Sequence, residues 1–472
     1  MQTTNPEILN IDRVAQPIPR GMARRRLHHG LQLVCLVAVV LTAAPAAHAI
    51  FHFDIRFDAG SPFFGGGHSR HDMWRRAALE SNARLSRRLA RALGNKQSGA
   101  AADAIVEPDV TLSQYTQQGH SLTVGVGTPP QPSKVILDLG SDLLWTQCSL
   151  VGPTAKQLEP VFDAARSSSF SVLPCSSKPC QEGTFTNKTC TDSRCAYEND
   201  YGIMTSTGVL ATETFTFGAH QNFSANLTFG CGKLTNGTIA GASGIMGVSP
   251  GPLSVLKQLS ITKFSYCLTP FTDHKTSPVM FGAMADLGKY KTTGKVQTIP
   301  LLKNPVEDIY YYVPMVGISI GSKRLDVPEA ILALRPDGTG GTVLDSATTL
   351  AYLVEPAFKE LKKAVMEGMK LPAANRSIDD YPVCFELPRG MSMEGVQVPP
   401  LVLHFAGDAE MSLPRDSYFQ EPSPGMMCLA VMQAPFEGAP NVIGNVQQQN
   451  MHVLYDLGNR KFSYAPTKCD SI

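Results

Sequence analysis

From residue 113 onward the apolar positions of the chain fall in short runs. Stretches such as 121–126, 134–137, 310–320 and 453–455 are broken by Gly, Pro, Asn and Ser, the pattern of strands joined by turns. One later stretch, 356–369, has helical spacing, with Phe358, Leu361, Val365 and Met369 on one face. The earlier part of the chain differs. Residues 73–93 place Leu79, Leu85, Leu89 and Leu93 at helical spacing among seven arginines between Arg70 and Arg91, and the Gly/Ala-rich stretch 94–104 has linker composition. Further upstream, Arg24-Arg25-Arg26 precedes an apolar run from Leu31 to Leu41 and then small residues ending in Ala47-His48-Ala49. That order is a secretory signal peptide. The run is shorter than the ~20 residues of a membrane span, which weighs against a signal anchor. Met22 is the more natural start, and the polar residues before it have no reading.

Composition narrows the class. The chain has 472 residues, 43% hydrophobic and 17% charged, which suits a globular protein of two or three domains. Residues 1–112 carry fourteen Lys/Arg against nine Asp/Glu, while the remainder carries 27 against 31. The larger part therefore has no basic face for nucleic acid. Of eleven cysteines, Cys35 lies in the apolar leader and ten run from Cys148 to Cys469. None forms a CxxC pair, and the eleven histidines show no zinc or triad spacing, so no metal or cofactor is expected. Sequons at Asn187, Asn222, Asn226, Asn236 and Asn375 complete a secretory signature.

An internal repeat supplies the candidate chemistry. Val135-Ile136-Leu137-Asp138-Leu139-Gly140-Ser141 parallels Thr342-Val343-Leu344-Asp345-Ser346-Ala347-Thr348. About a hundred residues after each comes a pair of apolar residues and a glycine, Ile245-Met246-Gly247 and Val442-Ile443-Gly444. One copy alone would be an ordinary surface turn. Two copies with matched partners indicate duplicated lobes, each contributing one carboxylate. Two carboxylates held close share one proton, which equips them as an acid and a base.

With further motifs in order, the chain resembles the pepsin-like aspartic proteases, and most closely the plant nepenthesin-like branch. The motifs are Gly127-Thr128-Pro129-Pro130-Gln131, Asp142-Leu143-Leu144-Trp145-Thr146-Gln147-Cys148, Phe229-Gly230-Cys231-Gly232, Phe264-Ser265-Tyr266-Cys267 and Ile443-Gly444-Asn445-Val446-Gln447-Gln448-Gln449-Asn450. The resemblance implies an all-β, bilobal fold with a cleft between two lobes, 113–295 and 296–472, after a leader (1–49) and a pro-segment (50–112). It implies a secreted or vacuolar monomeric endopeptidase, held inactive by its own pro-segment, acting on protein or peptide and free of any membrane after leader removal. A solvated basic helix is the alternative for that segment. Asp138 and Asp345 would be catalytic, with Ser141 and Thr348 bonded to their outer oxygens. Tyr201 would be the flap tyrosine and Trp145 its hydrogen-bond partner. The implied disulfides are Cys175–Cys195, Cys180–Cys190, Cys267–Cys469 and Cys384–Cys428. Two cysteines of the family pattern are absent after Cys148, so Cys148 and Cys231, both lacking their usual partners, are expected to pair.

Three positions depart from the family pattern. Leu139 stands where a threonine hydroxyl ties the two catalytic loops, with Ser346 left to serve the reciprocal role. Ala347 replaces a glycine, and the flap reads Tyr201-Gly202-Ile203-Met204-Thr205 without its second glycine. These changes raise the alternative of a catalytically weak or inactive binding protein, as among the plant xylanase-inhibitor relatives. Those relatives typically lose the aspartates that this chain keeps.

Overall fold

A computed structural model describes residues 51–57, the helical positions Trp74, Ala78, Ser81, Asn82 and Leu85, residues 116–117, and 120–472 except 153–159, 203, 219–222, 240, 272–274, 307 and 375–380. The leader, Cys35, the 94–104 stretch, Leu79, Leu89, Leu93 and the sequons at Asn222 and Asn375 lie outside the described residues.

The fold is all-β and bilobal. Strands dominate, and the longest helix among the described residues is Glu355–Gly368, which buries Ala357, Phe358, Leu361, Ala364 and Val365. Pro356 starts it where no donor is needed, and Met369 sits just past its end. The apolar run expected over 310–320 forms two strands, Tyr311–Val313 and Met315–Ile320. Pro314 between them has no N–H to donate to a ladder.

One long sheet runs through the molecule. Its first part orders the strands Gln297–Pro300, Lys461–Pro466, Met451–Asp456, Lys263–Cys267, Thr276–Phe281 and Phe51–Phe57. Strands from the middle and the later part of the chain thus lie side by side, with Lys263 opposite Asp456 and Tyr266 opposite Val453. The upstream strand Phe51–Phe57 pairs along Thr276–Phe281 and buries Phe53 between Phe217 and Phe281. Further downstream of that strand, Trp74, Ala78, Ser81 and Leu85 are buried at spacings of four, three and four, one face of a helix. Of the leucines expected on that face, the structure places Leu85 there, and Trp74, Ala78 and Ser81 were missed.

Five disulfides join Cys148 to Cys231, Cys175 to Cys190, Cys180 to Cys195, Cys267 to Cys469 and Cys384 to Cys428. The Cys148–Cys231 bridge spans a Cα separation of 5.1 Å. The expected nested pair, Cys175–Cys195 with Cys180–Cys190, is corrected to an interlaced one. Burial explains the exchange. Cys195 on the inner strand and Cys180 on the short helix Lys178–Glu182 are both buried, whereas Cys190 lies on the exposed edge strand Asn187–Thr191 and Cys175 is half-buried. Asn187, Asn226 and Asn236 are exposed.

The interleaved sheet contains a buried base. His452 is 0% exposed, touches Tyr290 edge-on at 5.0 Å, and neither of its ring nitrogens has a hydrogen-bond partner among the described residues. Burial lowers its pKa from 6.5 to about 4. The unfolded chain therefore takes up a proton near pH 6.5 that the folded chain refuses until about pH 4, so stability falls as pH falls through that window. His452→Phe should flatten the decline of the urea midpoint between pH 6.5 and 4 while changing it little at pH 7. An unaltered pH dependence would exclude this origin.

Candidate active site

Each half of the repeat builds the same local structure. Strand Gln131–Asp138 runs parallel to Gly244–Gly247, with Gly247 opposite Asp138, and Gly244–Gly247 is antiparallel to Trp145–Gln147. In the second copy Thr342–Leu344 runs parallel to Asn441–Ile443, which is antiparallel to Ala351–Leu353. The glycines are steric requirements. A Cβ on Gly247 would lie 2.4 Å from the backbone of Asp142, and one on Gly444 would lie 2.4 Å from the carbonyl oxygen of Leu350. Each glycine lets its strand pass flush against the loop that follows the aspartate.

The carboxylates sit in matched cradles. Asp138 and Asp345 are 0% and 3% exposed. Oδ1 of Asp138 accepts from the Gly140 N–H at 2.9 Å and Oδ2 from the Ser141 hydroxyl at 2.5 Å. Oδ1 of Asp345 accepts from the Ala347 N–H at 3.0 Å and Oδ2 from the Thr348 hydroxyl at 2.6 Å. Ala347 therefore supplies the same donor as Gly140, and neither residue has a positive φ. The crowding expected from its methyl does not break the cradle.

A short path of contacts brings the two loops together. The Val248 N–H donates to the Asp138 carbonyl at 2.9 Å, and the Val248 carbonyl accepts from the Tyr311 hydroxyl at 2.6 Å. Tyr311 pairs with Leu344, the residue before Asp345. Asn445 adds a second tie. Its N–H donates to the Thr348 carbonyl and its side-chain Nδ2 to the Ser346 carbonyl at 2.8 Å, while Nδ2 lies 3.2 Å from Nδ1 of the buried His120. Burial lowers the His120 pKa to about 3, so this ring stays neutral across the ordinary acid range. The threonine-type tie is absent. Leu139 is fully buried in the apolar core, and the hydroxyl of Ser346 is buried without a hydrogen-bond partner among the described residues. The reciprocal role expected of Ser346 is not met.

The hairpin between Arg194–Asp200 and Thr205–Phe217 closes with the Tyr201 N–H donating to the Met204 carbonyl at 2.8 Å. Gly202, at φ 89°, takes the first position of the turn, so one glycine suffices there. Tyr201 and Met204 are both buried, in a cluster with Trp145. Trp145 meets Tyr201 through its ring, at 6.2 Å between centroids, and its Nε1 is buried with no hydrogen-bond partner among the described residues. The expected hydrogen bond between them is thus replaced by a ring contact. The filled space where a glycine was expected, at Met204, packs this face of the hairpin with side chain.

The upstream helix reaches the second loop. The Ser81 hydroxyl accepts from the Thr349 N–H at 3.1 Å, next to Thr348, and the Trp74 carbonyl accepts from the Tyr381 hydroxyl at 3.1 Å. Reasoning from sequence named the carboxylates and their hydroxyls. It missed Ser81, Asn445 and Tyr311, and treated His120 as ordinary. Asn445 stands in a motif quoted above, but nothing in the motif shows what its side chain holds.

Comparison with known proteins gives the family. Residues 120–283 match the family model described as Xylanase inhibitor N-terminal, and 310–466 match Xylanase inhibitor C-terminal. Aspartic proteinase nepenthesin-1 of Nepenthes gracilis is 39% identical over 396 residues, covering 83% of this chain and 85% of the relative. Aspartyl protease family protein 2 of Arabidopsis thaliana is 34% identical over 73% of this chain and 70% of its own length. Among solved structures, conglutin gamma, a basic 7S globulin from lupine seeds, has the same fold, with a TM-score of 0.60 at 15% identity over 89% of this chain and 95% of that one. The chain belongs to the pepsin-like aspartic protease family, in its plant nepenthesin-like branch.

Proposed function

We propose that this chain is the precursor of a secreted aspartic endopeptidase in which Asp138 and Asp345 are the catalytic pair. The observation that carries the reading is the matched cradle, one hydroxyl and one backbone N–H on each buried carboxylate. In the mechanism that the family resemblance implies, two carboxylates held close together share one proton. The ionised member takes a proton from water, and the water attacks the peptide carbonyl. The protonated member polarises that carbonyl and later donates to the leaving amine. Ser141 and Thr348 hold the outer oxygens, and Tyr201 closes over the substrate, with a preference for bulky apolar residues around the scissile bond. Intact cradles on both carboxylates argue against an inert binding protein.

Five disulfides and exposed Asn187, Asn226 and Asn236 support passage through an oxidising secretory compartment, to the apoplast or vacuole. No helix among the described residues is long and apolar enough to cross a membrane. The division into leader (1–49), pro-segment (50–112) and lobes at 113–295 and 296–472 follows the same reading. The pro-segment acts as inhibitor, supported by the contact of Ser81 with the Asp345 loop.

Acid treatment of the purified precursor at about pH 3–4, the range in which such a pair shares one proton, should release the pro-segment. Cleavage of haemoglobin or casein should follow and be blocked by pepstatin. Asp138→Asn and Asp345→Asn should each cost roughly 10²–10⁴-fold in kcat. Normal folding with no pepstatin-sensitive cleavage at any pH would refute the proposal.

The buried hydroxyl of Ser346 gives a second test. Leu139→Thr supplies a hydrogen-bonding group to the first loop and should raise kcat about tenfold, the worth of one hydrogen bond near 1.4 kcal/mol. The gain should vanish when Ser346→Ala is also present. Equal gains in both backgrounds would show that Ser346 is not the partner. Ala347→Gly should leave the rate nearly unchanged, because Ala347 already donates to Asp345.

A further inference from the structure

We propose that Tyr266 is a positioning residue for Asp345, acting from the opposite half of the chain through the side-chain amide of Gln448. This rests on reading Asp345 as a catalytic carboxylate. Tyr266 lies on Lys263–Cys267, in the interleaved sheet, and is fully buried. Its hydroxyl donates to Oε1 of Gln448, 182 residues away and also 0% exposed. Nε2 of the same amide donates to the carbonyls of Ile443 at 2.9 Å and Gly444 at 3.1 Å. The Ile443 carbonyl also accepts the Asp345 N–H at 3.2 Å. A single amide thus joins a strand of the first half to the backbone on which Asp345 is hung.

The direction of the amide decides whether this works. An amide rotates about its last torsion between two faces of nearly equal intrinsic energy. With Oε1 pinned by the Tyr266 hydroxyl, Nε2 must face the two carbonyls. Without the hydroxyl, Oε1 loses the donor that Tyr266 supplies, and the amide is held from one side only, by the carbonyls of Ile443 and Gly444. Tyr266 is suited to a permanent donor role. Burial, and then the nearby Asp345 charge, raise its pKa, so it stays protonated throughout the working range. Tyr455 lies 3.1 Å from it, hydroxyl to hydroxyl, and stacks on Phe264 at 4.4 Å, which fixes the ring laterally. Both ends of the tie are unusual for a core. A tyrosine hydroxyl and a glutamine there are destabilising unless hydrogen-bonded.

The arrangement matters more because Leu139 cannot make the hydroxyl tie between the loops and Ser346 is left unpartnered. Tyr266 and Gln448 provide a connection from the first half to the second loop that does not pass through either residue.

The test is Tyr266→Phe, with Tyr464→Phe as the matched control. Tyr464 lies in the same sheet, and its buried hydroxyl has no hydrogen-bond partner among the described residues. In Tyr266→Phe, kcat for a peptide substrate should fall about tenfold with KM within twofold. Amide hydrogen exchange across 342–349 should quicken about tenfold, while that across 401–405 stays as in the wild type. Tyr464→Phe should change none of these. Gln448→Glu serves if Tyr266→Phe does not fold. Its acid form can donate to Ile443 and its ionised form cannot, so the basic limb of the kcat profile and the exchange rate of 342–349 should both become pH-dependent below pH 7. Unchanged exchange at 342–349 in the variants overturns the proposal whether or not the wild type cleaves peptide. Quickened exchange with an unchanged kcat overturns its catalytic part. Quickened exchange in the variants, with no pepstatin-sensitive cleavage by the wild type, upholds the tie and refutes the reading of Asp345 as catalytic.

Discussion

The site depends on two close backbone approaches, at Gly247 and Gly444. In each copy a short strand must pass so near the loop following an aspartate that any side chain would collide with main-chain atoms. Once that approach is made, parallel pairing places the end of the aspartate strand beside the glycine. The loop then folds back so that one N–H and one hydroxyl point at the carboxylate. The carboxylates are buried because this geometry supplies donors to replace water, and a buried carboxylate without them would not be tolerated.

Two such units must also be held against each other, and here the chain departs from symmetry. On the first loop Leu139 joins the apolar core instead of reaching across, leaving the hydroxyl of Ser346 unmatched. The connection runs instead through backbone carbonyls: that of Val248, held by Tyr311, that of Ser346, held by Asn445, and that of Ile443, shared by Gln448 and Asp345. Backbone acceptors are indifferent to the side chain at their own position. This explains how residues in the loops can change while the cradles persist. Ala347 is the clearest example, since its N–H donates as that of Gly140 does.

This division also explains what the sequence could reveal. A steric demand repeated twice leaves a visible repeat, so the carboxylates, their hydroxyls and the two glycines were legible without a structure. The strand-rich character followed from short apolar runs broken by turn residues, and the two lobes from the repeat and the family resemblance. Side-chain ties such as Tyr266 to Gln448 leave no periodic trace, because their partners are far apart in sequence and meet only after the sheet interleaves. The cysteine exchange has a similar cause. Which of Cys190 and Cys195 faces inward depends on which strand becomes the edge, and the order of cysteines carries no record of that. On the upstream helix, counting leucines overlooked Trp74, Ala78 and Ser81, since a face packed against polar backbone needs small and polar residues as well as leucine.

The interleaved sheet is therefore more than a spacer between lobes. It takes the upstream strand Phe51–Phe57 on one side and, two strands away, carries Tyr266, whose hydroxyl reaches the amide beneath Asp345. It also contains His452, whose buried neutral ring disfavours the folded state as the solution becomes acid. His120, at the head of strand His120–Val126, adds to this because burial lowers its pKa to about 3. The proposed mechanism calls for acid conditions, yet the sheet beside the carboxylates contains bases whose burial disfavours the folded state in acid. The disulfide from Cys267 to Cys469 closes a separation of 202 residues next to that sheet and limits the entropy released on unfolding. The covalent link stabilises the same fold that the buried bases destabilise in acid, so the two act on this sheet in opposite directions.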